Sequence, residues 1–229
     1  MVILIVQLVV IAILAAALLA LYVYFPYPSP WIRRWLPARK RWPEAQVRGW
    51  LERGRFQAAF LRYFYRDPER FPASKEGMLA PADGVIMSAE VRGAMRYLVI
   101  ALSFWDMHVQ RSPLPGRVVR VESLGGTFMD WEWQDFAFLR DKPCPVQKRM
   151  VMETPAGQLA VRFITSLAAR RIETWVDAGD AIERGQRIGR ILLGSTVVFE
   201  LPATAKMQVS VGERVRAGET VVAAWQPIP

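Results

Sequence analysis

"ILLGSTVVFE", Ile191 to Glu200, decides how this chain is read. Ile-Leu-Leu on one side and Val-Val-Phe on the other read as strand, with Gly194-Ser195-Thr196 between them. Glycine inside a strand packs no side chain and loses more backbone entropy than any other residue. The stretch therefore reads as one strand with a weak point at its centre. Around it, from Gly77 onward, short β-type runs are separated by Gly and Pro: "GVIMSAEV", "YLVIALSF", "GRVVRVESL" and "QLAVRFITSL". Closely spaced runs of this kind predict a mainly antiparallel β domain over 76–229 and argue against a doubly wound sheet.

The same region holds an internal repeat. "VDAGDAIERGQRIG" (Val176–Gly189) aligns with "VSVGERVRAGETVV" (Val209–Val222), 33 residues later. Each copy reads as a short strand, a Gly-bounded turn and a return strand, a cadence that resembles the hairpins of biotinyl- and lipoyl-type barrels. Those modules carry an attachment lysine at a separate hairpin tip. Lys206 is too close to Gly212 for that geometry and reads as a solvated lysine.

The N-terminus is of another kind. Val2 to Phe25 contains one polar side chain, Gln7, and no charge. About 20 residues suffice for a helix to cross the roughly 30 Å bilayer core. Tyr22, Tyr24 and Tyr27 sit where interfacial aromatics belong. No Lys or Arg precedes the run, which argues against a cleaved signal peptide. Arg33, Arg34, Arg39, Lys40 and Arg41 follow it, and the positive-inside rule keeps such a cluster in the cytoplasm. The expectation is a single-span anchor over 1–27 in the cell membrane, with the rest on the cytoplasmic side. Residues 28–75 read as a basic juxtamembrane linker and an amphipathic helix running from Glu44 to about Tyr65, ended by "RDPER". Its apolar face suits either a membrane surface or the β domain. The fold class is thus α+β, mainly β. A net charge of +9 beside a spanning helix points to an anionic membrane and not to nucleic acid. One cysteine, Cys144, excludes an internal disulfide and a cysteine-based zinc site. His108 is the one histidine, so any imidazole chemistry uses it.

Three motifs collect the candidate chemistry: "APADGVI" with Asp83, "SFWDMHVQRSPLPGRV" with Asp106, His108 and Arg111, and the Leu-Gly-Ser-Thr of the opening stretch. If Ser103–Val118 is extended, Asp106 and His108 share a face. Together and in this order, with "YRDPERFP", "ARRI", "RGQRIGRILLGST" and "GERVRAGETVVA", they resemble the short, membrane-anchored phosphatidylserine decarboxylases across most of residues 64–225.

The resemblance implies a self-processing proenzyme that makes a pyruvoyl cofactor from Ser195 and uses no metal. Ser195 would attack the Gly194 carbonyl. Elimination and hydrolysis would then leave a β chain of 1–194 and an α chain of 195–229, the latter starting with pyruvoyl. His108 would be the base and Asp83 its acidic partner, with Asp106 the runner-up. The substrate would be phosphatidylserine or the ether lipid archaetidylserine, and the assembly a homodimer. Better-known members have a second histidine where this chain has Arg111, which together with Thr196 is a candidate for substrate binding. Competing readings are a non-enzymatic membrane-anchored barrel adaptor and a degenerate member that never processes.

Overall fold

The computed structural model describes residues 2–24, 34–124, 146–165, 171–192 and 195–225. Cys144, Leu193 and Gly194 lie outside them, as do the side chains of Leu124 and Ser195. The chain forms two compact units, Met1–Val47 and Arg48–Pro229.

The first unit contains α1 (Val2–Tyr24), uncharged and apolar but for Gln7, with a mean hydropathy of 3.1 over Ile3–Ala20. At 1.5 Å per residue it is roughly 35 Å long, enough to cross a bilayer. A short helix, α2 (Ala38–Arg41), follows Pro37, whose fixed φ suits a helix start. Arg41 ties it back to the carbonyls of Arg34 and Leu36, at 2.5 and 2.8 Å.

The expected helix from Glu44 to Tyr65 is two helices, α3 (Glu44–Arg53) and α4 (Ala58–Phe64). Gly54 breaks it at φ +62°, a left-handed conformation that costs glycine little. Across the break, the rings of Trp50, Phe56 and Phe64 gather on Phe60 with centroids 5.5–6.1 Å from it. Phe60 and Phe64 are fully buried, so this apolar face packs within the unit and is not left for a membrane.

The rest is antiparallel β-structure, as expected. Among the described residues, fourteen strands run in chain order: β1 (Met78–Leu79), β2 (Gly84–Arg92), β3 (Met95–Leu102), β4 (Val109–Arg111), β5 (Gly116–Leu124), β6 (Gln147–Thr154), β7 (Gly157–Thr165), β8 (Arg171–Thr174), β9 (Ala181–Ile182), β10 (Arg187–Leu192), β11 (Ser195–Pro202), β12 (Lys206–Met207), β13 (Arg214–Val215) and β14 (Val221–Ala224). The main sheet has the order β13-β2-β3-β11-β7-β6-β5-β9, flanked by the three-stranded sheets β4-β10-β8 and β1-β14-β12. Phe163, Phe199, Ile100, Leu98, Met150 and Met152, all fully buried, fill one side of the main sheet.

The opening stretch is therefore not one strand. Ile191 and Leu192 end β10 in a small sheet, while Ser195 begins β11 at the centre of the large one. The apolar run hides this because both halves are buried among hydrophobic neighbours.

The 33-residue repeat is real in the backbone. Gly179 and Gly212, and Gly185 and Gly218, all have positive φ at matching positions. The barrel-hairpin reading is not supported, because the flanking strands do not pair with each other: β9 pairs with β5 and β13 with β2. A second duplication underlies this. Pro81-x-x-Gly84 opening β2 matches Pro113-x-x-Gly116 opening β5, 32 residues on. Both strands shift register at equivalent points, after Ile86 and after Val118. A Cβ at Gly84 would lie 2.3 Å from the Ala101 carbonyl oxygen, and one at Gly116 would lie 2.1 Å from that of Glu153. The main sheet is thus a pseudo-two-fold pair of half-sheets meeting at β11 and β7.

Candidate active site

The site is built where β4 runs beside β10. The Ile191 N–H donates to the His108 carbonyl at 3.1 Å, which fixes the imidazole residue four positions from Ser195. Ser195 itself pairs with Leu102 of β3 and Thr165 of β7, and Thr196 beside it is buried between Ala101 and Ile164.

His108 is 2% exposed, with its ring against Phe64 at 3.9 Å between centroids. Nδ1 lies 3.0 Å from the Asp106 carbonyl oxygen and so carries the proton when the ring is neutral. Nε2 is then a bare acceptor, buried and without a partner among the described residues. Burial pushes the imidazole pKa down to about 4, and the hydrogen bond to the Asp106 carbonyl only partly opposes that. The ring is consequently neutral through the physiological range and able to take a proton at Nε2.

Neither carboxylate orients the ring directly. Ser103 to His108 is a turn and not an extended strand, so the alternation that would align Asp106 with His108 does not apply. The Asp106 carboxylate accepts from the Ser103 N–H and hydroxyl, both at 2.7 Å, and pairs with Arg214. Asp83 is buried, accepting from the Ala217 N–H at 2.8 Å and from Arg70 at 3.0 Å. Arg70 links it towards the His108 segment: the same Nη2 contacts Met107 Sδ at 2.6 Å, and its Nε pairs with Glu219. The expected direct Asp83–imidazole contact is thus replaced by an arginine between the two segments. Arg70 was visible only as part of "RDPER", where a proline and four charges in five residues also suit a solvated helix end.

Arg111 is not open to a headgroup. It is 5% exposed and donates to Asp67 at 2.9 Å, to the Gly185 carbonyl at 3.1 Å and to the Pro68 carbonyl at 3.3 Å. Arg187 also pairs with Asp67 and with Glu69. "RDPER" is thereby clamped onto β4 and β10. A buried Glu200 accepting from Arg149 and Arg162 on β6 and β7 was not foreseen either. No cluster of three His, Cys, Asp or Glu side chains suited to a metal occurs among the described residues.

A buried, neutral imidazole just before β4, beside the strand that ends at Leu192, gives this antiparallel β fold a group able to accept a proton. Residues 56–223 match the phosphatidylserine decarboxylase family, and the chain belongs to it. It is 35% identical over 173 residues to the "Phosphatidylserine decarboxylase proenzyme" of Desulfotalea psychrophila, covering 72% of this chain and 78% of that one. Two proteins named "Putative archaetidylserine decarboxylase proenzyme" are as similar. That of Archaeoglobus fulgidus is 38% identical over 164 residues (72% and 77% covered), and that of Methanothermobacter thermautotrophicus 35% over 189 (74% and 82%). No solved structure gave a significant match.

Proposed function

We propose that the chain is a self-processing, pyruvoyl-dependent decarboxylase of serine phospholipids, acting on phosphatidylserine or archaetidylserine. The observation that carries this is the Nε2 of His108, without a partner among the described residues and held neutral immediately before β4, the strand next to the one that ends just before Gly194-Ser195. In the first stage His108 Nε2 takes the Ser195 hydroxyl proton, and Oγ adds to the Gly194 carbonyl carbon. The C–N bond breaks and the amine of Ser195 is freed, leaving an ester. Loss of the Ser195 Cα proton expels the Gly194 carboxylate, and water then releases ammonia. Arg70 and the Ala217 N–H hold the Asp83 carboxylate in place near this segment, as the electrostatic complement of a transiently protonated His108.

The residues present fit a pyruvoyl group at 195. A serine at a sheet junction supplies its carbon skeleton, and a buried imidazole supplies and accepts protons. When formed, that group provides the electron sink for loss of CO2. His108 then delivers a proton to the carbon that lost it. The buried surroundings of Phe64 exclude water from the ring. α1 anchors the chain in the membrane that holds its substrate, and the basic cluster after it sets residues 28–229 on the cytoplasmic side. Nothing in an adaptor would require a neutral histidine at a Gly-Ser junction.

Denaturing, reducing electrophoresis of protein from its native membrane tests this. Two fragments, the short one resistant to Edman sequencing, are expected, and an intact chain of 26.1 kDa overturns the reading. Ser195→Ala should abolish both cleavage and activity, and borohydride with substrate should trap the lipid amine on the short fragment.

A further inference from the structure

Arg111, the cation that the sequence offers for a headgroup, is spent inside the fold, as is Arg70, and Arg187 is taken up by Asp67 and Glu69. A different arginine is not. Arg190 lies on β10 with its backbone opposite Val109, the residue after His108. Its guanidinium sits over the rings of Tyr65, at 4.9 Å, and Trp175, at 5.8 Å. Nε is committed to Glu173 at 2.6 Å, while neither terminal nitrogen has a hydrogen-bond partner among the described residues. The side chain is 31% exposed, and Trp175 is 44% exposed. Tyr65 connects this group to the catalytic ring: it meets Phe64 edge-on at 5.3 Å, and Phe64 lies on His108. Burial raises the Tyr65 pKa, so its hydroxyl remains a donor. Arg171 shares Glu173 and leaves the three side chains one positive charge in excess.

We propose that Arg190, flanked by Tyr65 and Trp175, binds the phosphodiester of the lipid headgroup and so fixes the serine end beside His108. The inference rests on the decarboxylase reading and supplies its anchoring point. A guanidinium presents a planar fork that matches two phosphate oxygens. Glu173 holds Nε and thereby aims the other edge outward. The aromatic faces restrict the rotation of the fork and exclude water from its sides. Trp175 is suited to the headgroup level of a bilayer, apolar in body and donating at one edge.

The test is calorimetric titration of sn-glycero-3-phosphoserine into the full-length Ser195→Ala chain, then into the same chain carrying Arg190→Gln or Arg190→Lys, with thermal melts confirming that each is folded. Binding to the Ser195→Ala chain is expected, weakened at least tenfold by Arg190→Gln and severalfold by Arg190→Lys, which keeps the charge but not the fork. No binding to the parent chain, or unchanged affinity in Arg190→Lys, overturns the site. In processed enzyme, Arg190→Gln should raise KM for a monomeric short-chain phosphatidylserine at least tenfold. An effect confined to substrate in vesicles would show that Arg190 binds the bilayer surface, and the phosphodiester site would fall. If the processed wild type forms no phosphatidylethanolamine while headgroup binding still depends on Arg190, the reaction assignment fails and the site stands.

Discussion

At the residue scale the site is governed by one neutral histidine. His108 has its pKa lowered from 6.5 to about 4 by burial, so the unfolded chain binds more protons than the folded one between those values. Stability is therefore complete above about pH 6.5, falls as pH drops through that window, and levels off below about 4. The total loss is on the order of 3 kcal/mol. Denaturant melts from pH 7.5 to 4 should show it, and His108→Gln should flatten that part of the profile. The rate of self-cleavage should stay level down to about pH 5, well below the point where an exposed imidazole would protonate. Arg70→Met should be costly for a different reason: it leaves the buried Asp83 carboxylate with only the Ala217 N–H. A loss of about 3 kcal/mol and slowed cleavage are expected, read by urea melts and by electrophoresis over time. The catalytic candidates themselves were legible in the motifs, whereas their partners were not. Asp106 and His108 sit on a turn whose hydrogen bonds come from Ser103, and no alternation rule reaches through a turn.

Elements show the same division. The 33-residue repeat was visible because both copies keep two glycines at positions that demand positive φ. The 32-residue repeat between β2 and β5 was not, since packing preserves only the leading Pro and Gly where two strands approach closely. One consequence is that Asp83 has Pro115 as its counterpart, so the duplicated frame carries an acid on one side only. Gly84→Ala would drive a methyl into the Ala101 carbonyl next to that acid. Roughly 2–4 kcal/mol of stability should be lost, by chemical denaturation, with cleavage impaired as well. Charges buried in β-structure escape sequence reading for a related reason: Arg162 and Glu200 each stand between apolar residues, as solvent-facing side chains do. Glu200→Gln removes the buried carboxylate charge that accepts from both Arg149 and Arg162 and should cost about 3 kcal/mol in the same assay.

For the whole molecule, α1 and the β-structure have separable tasks. A chain lacking residues 2–24 should still cleave itself, yet appear in the soluble fraction after ultracentrifugation, while the full chain sediments with membranes. The proposed cleavage before Ser195 would also have a lasting effect through the place of β11 between β3 and β7. The middle of the main sheet then belongs to a peptide with no covalent tie to its neighbours on either side. Native purification should keep the two pieces together, because every ladder bond of β11 remains. Once melted, however, the enzyme becomes a complementation problem: recovery requires two solutes to meet, one of them bearing a ketoacyl end that no ribosome can supply. Dilution should defeat reassembly, so the useful lifetime of each molecule is set by how slowly it first opens. The uncleaved precursor should refold after denaturation as a single chain, a recourse that the proposed cleavage would remove.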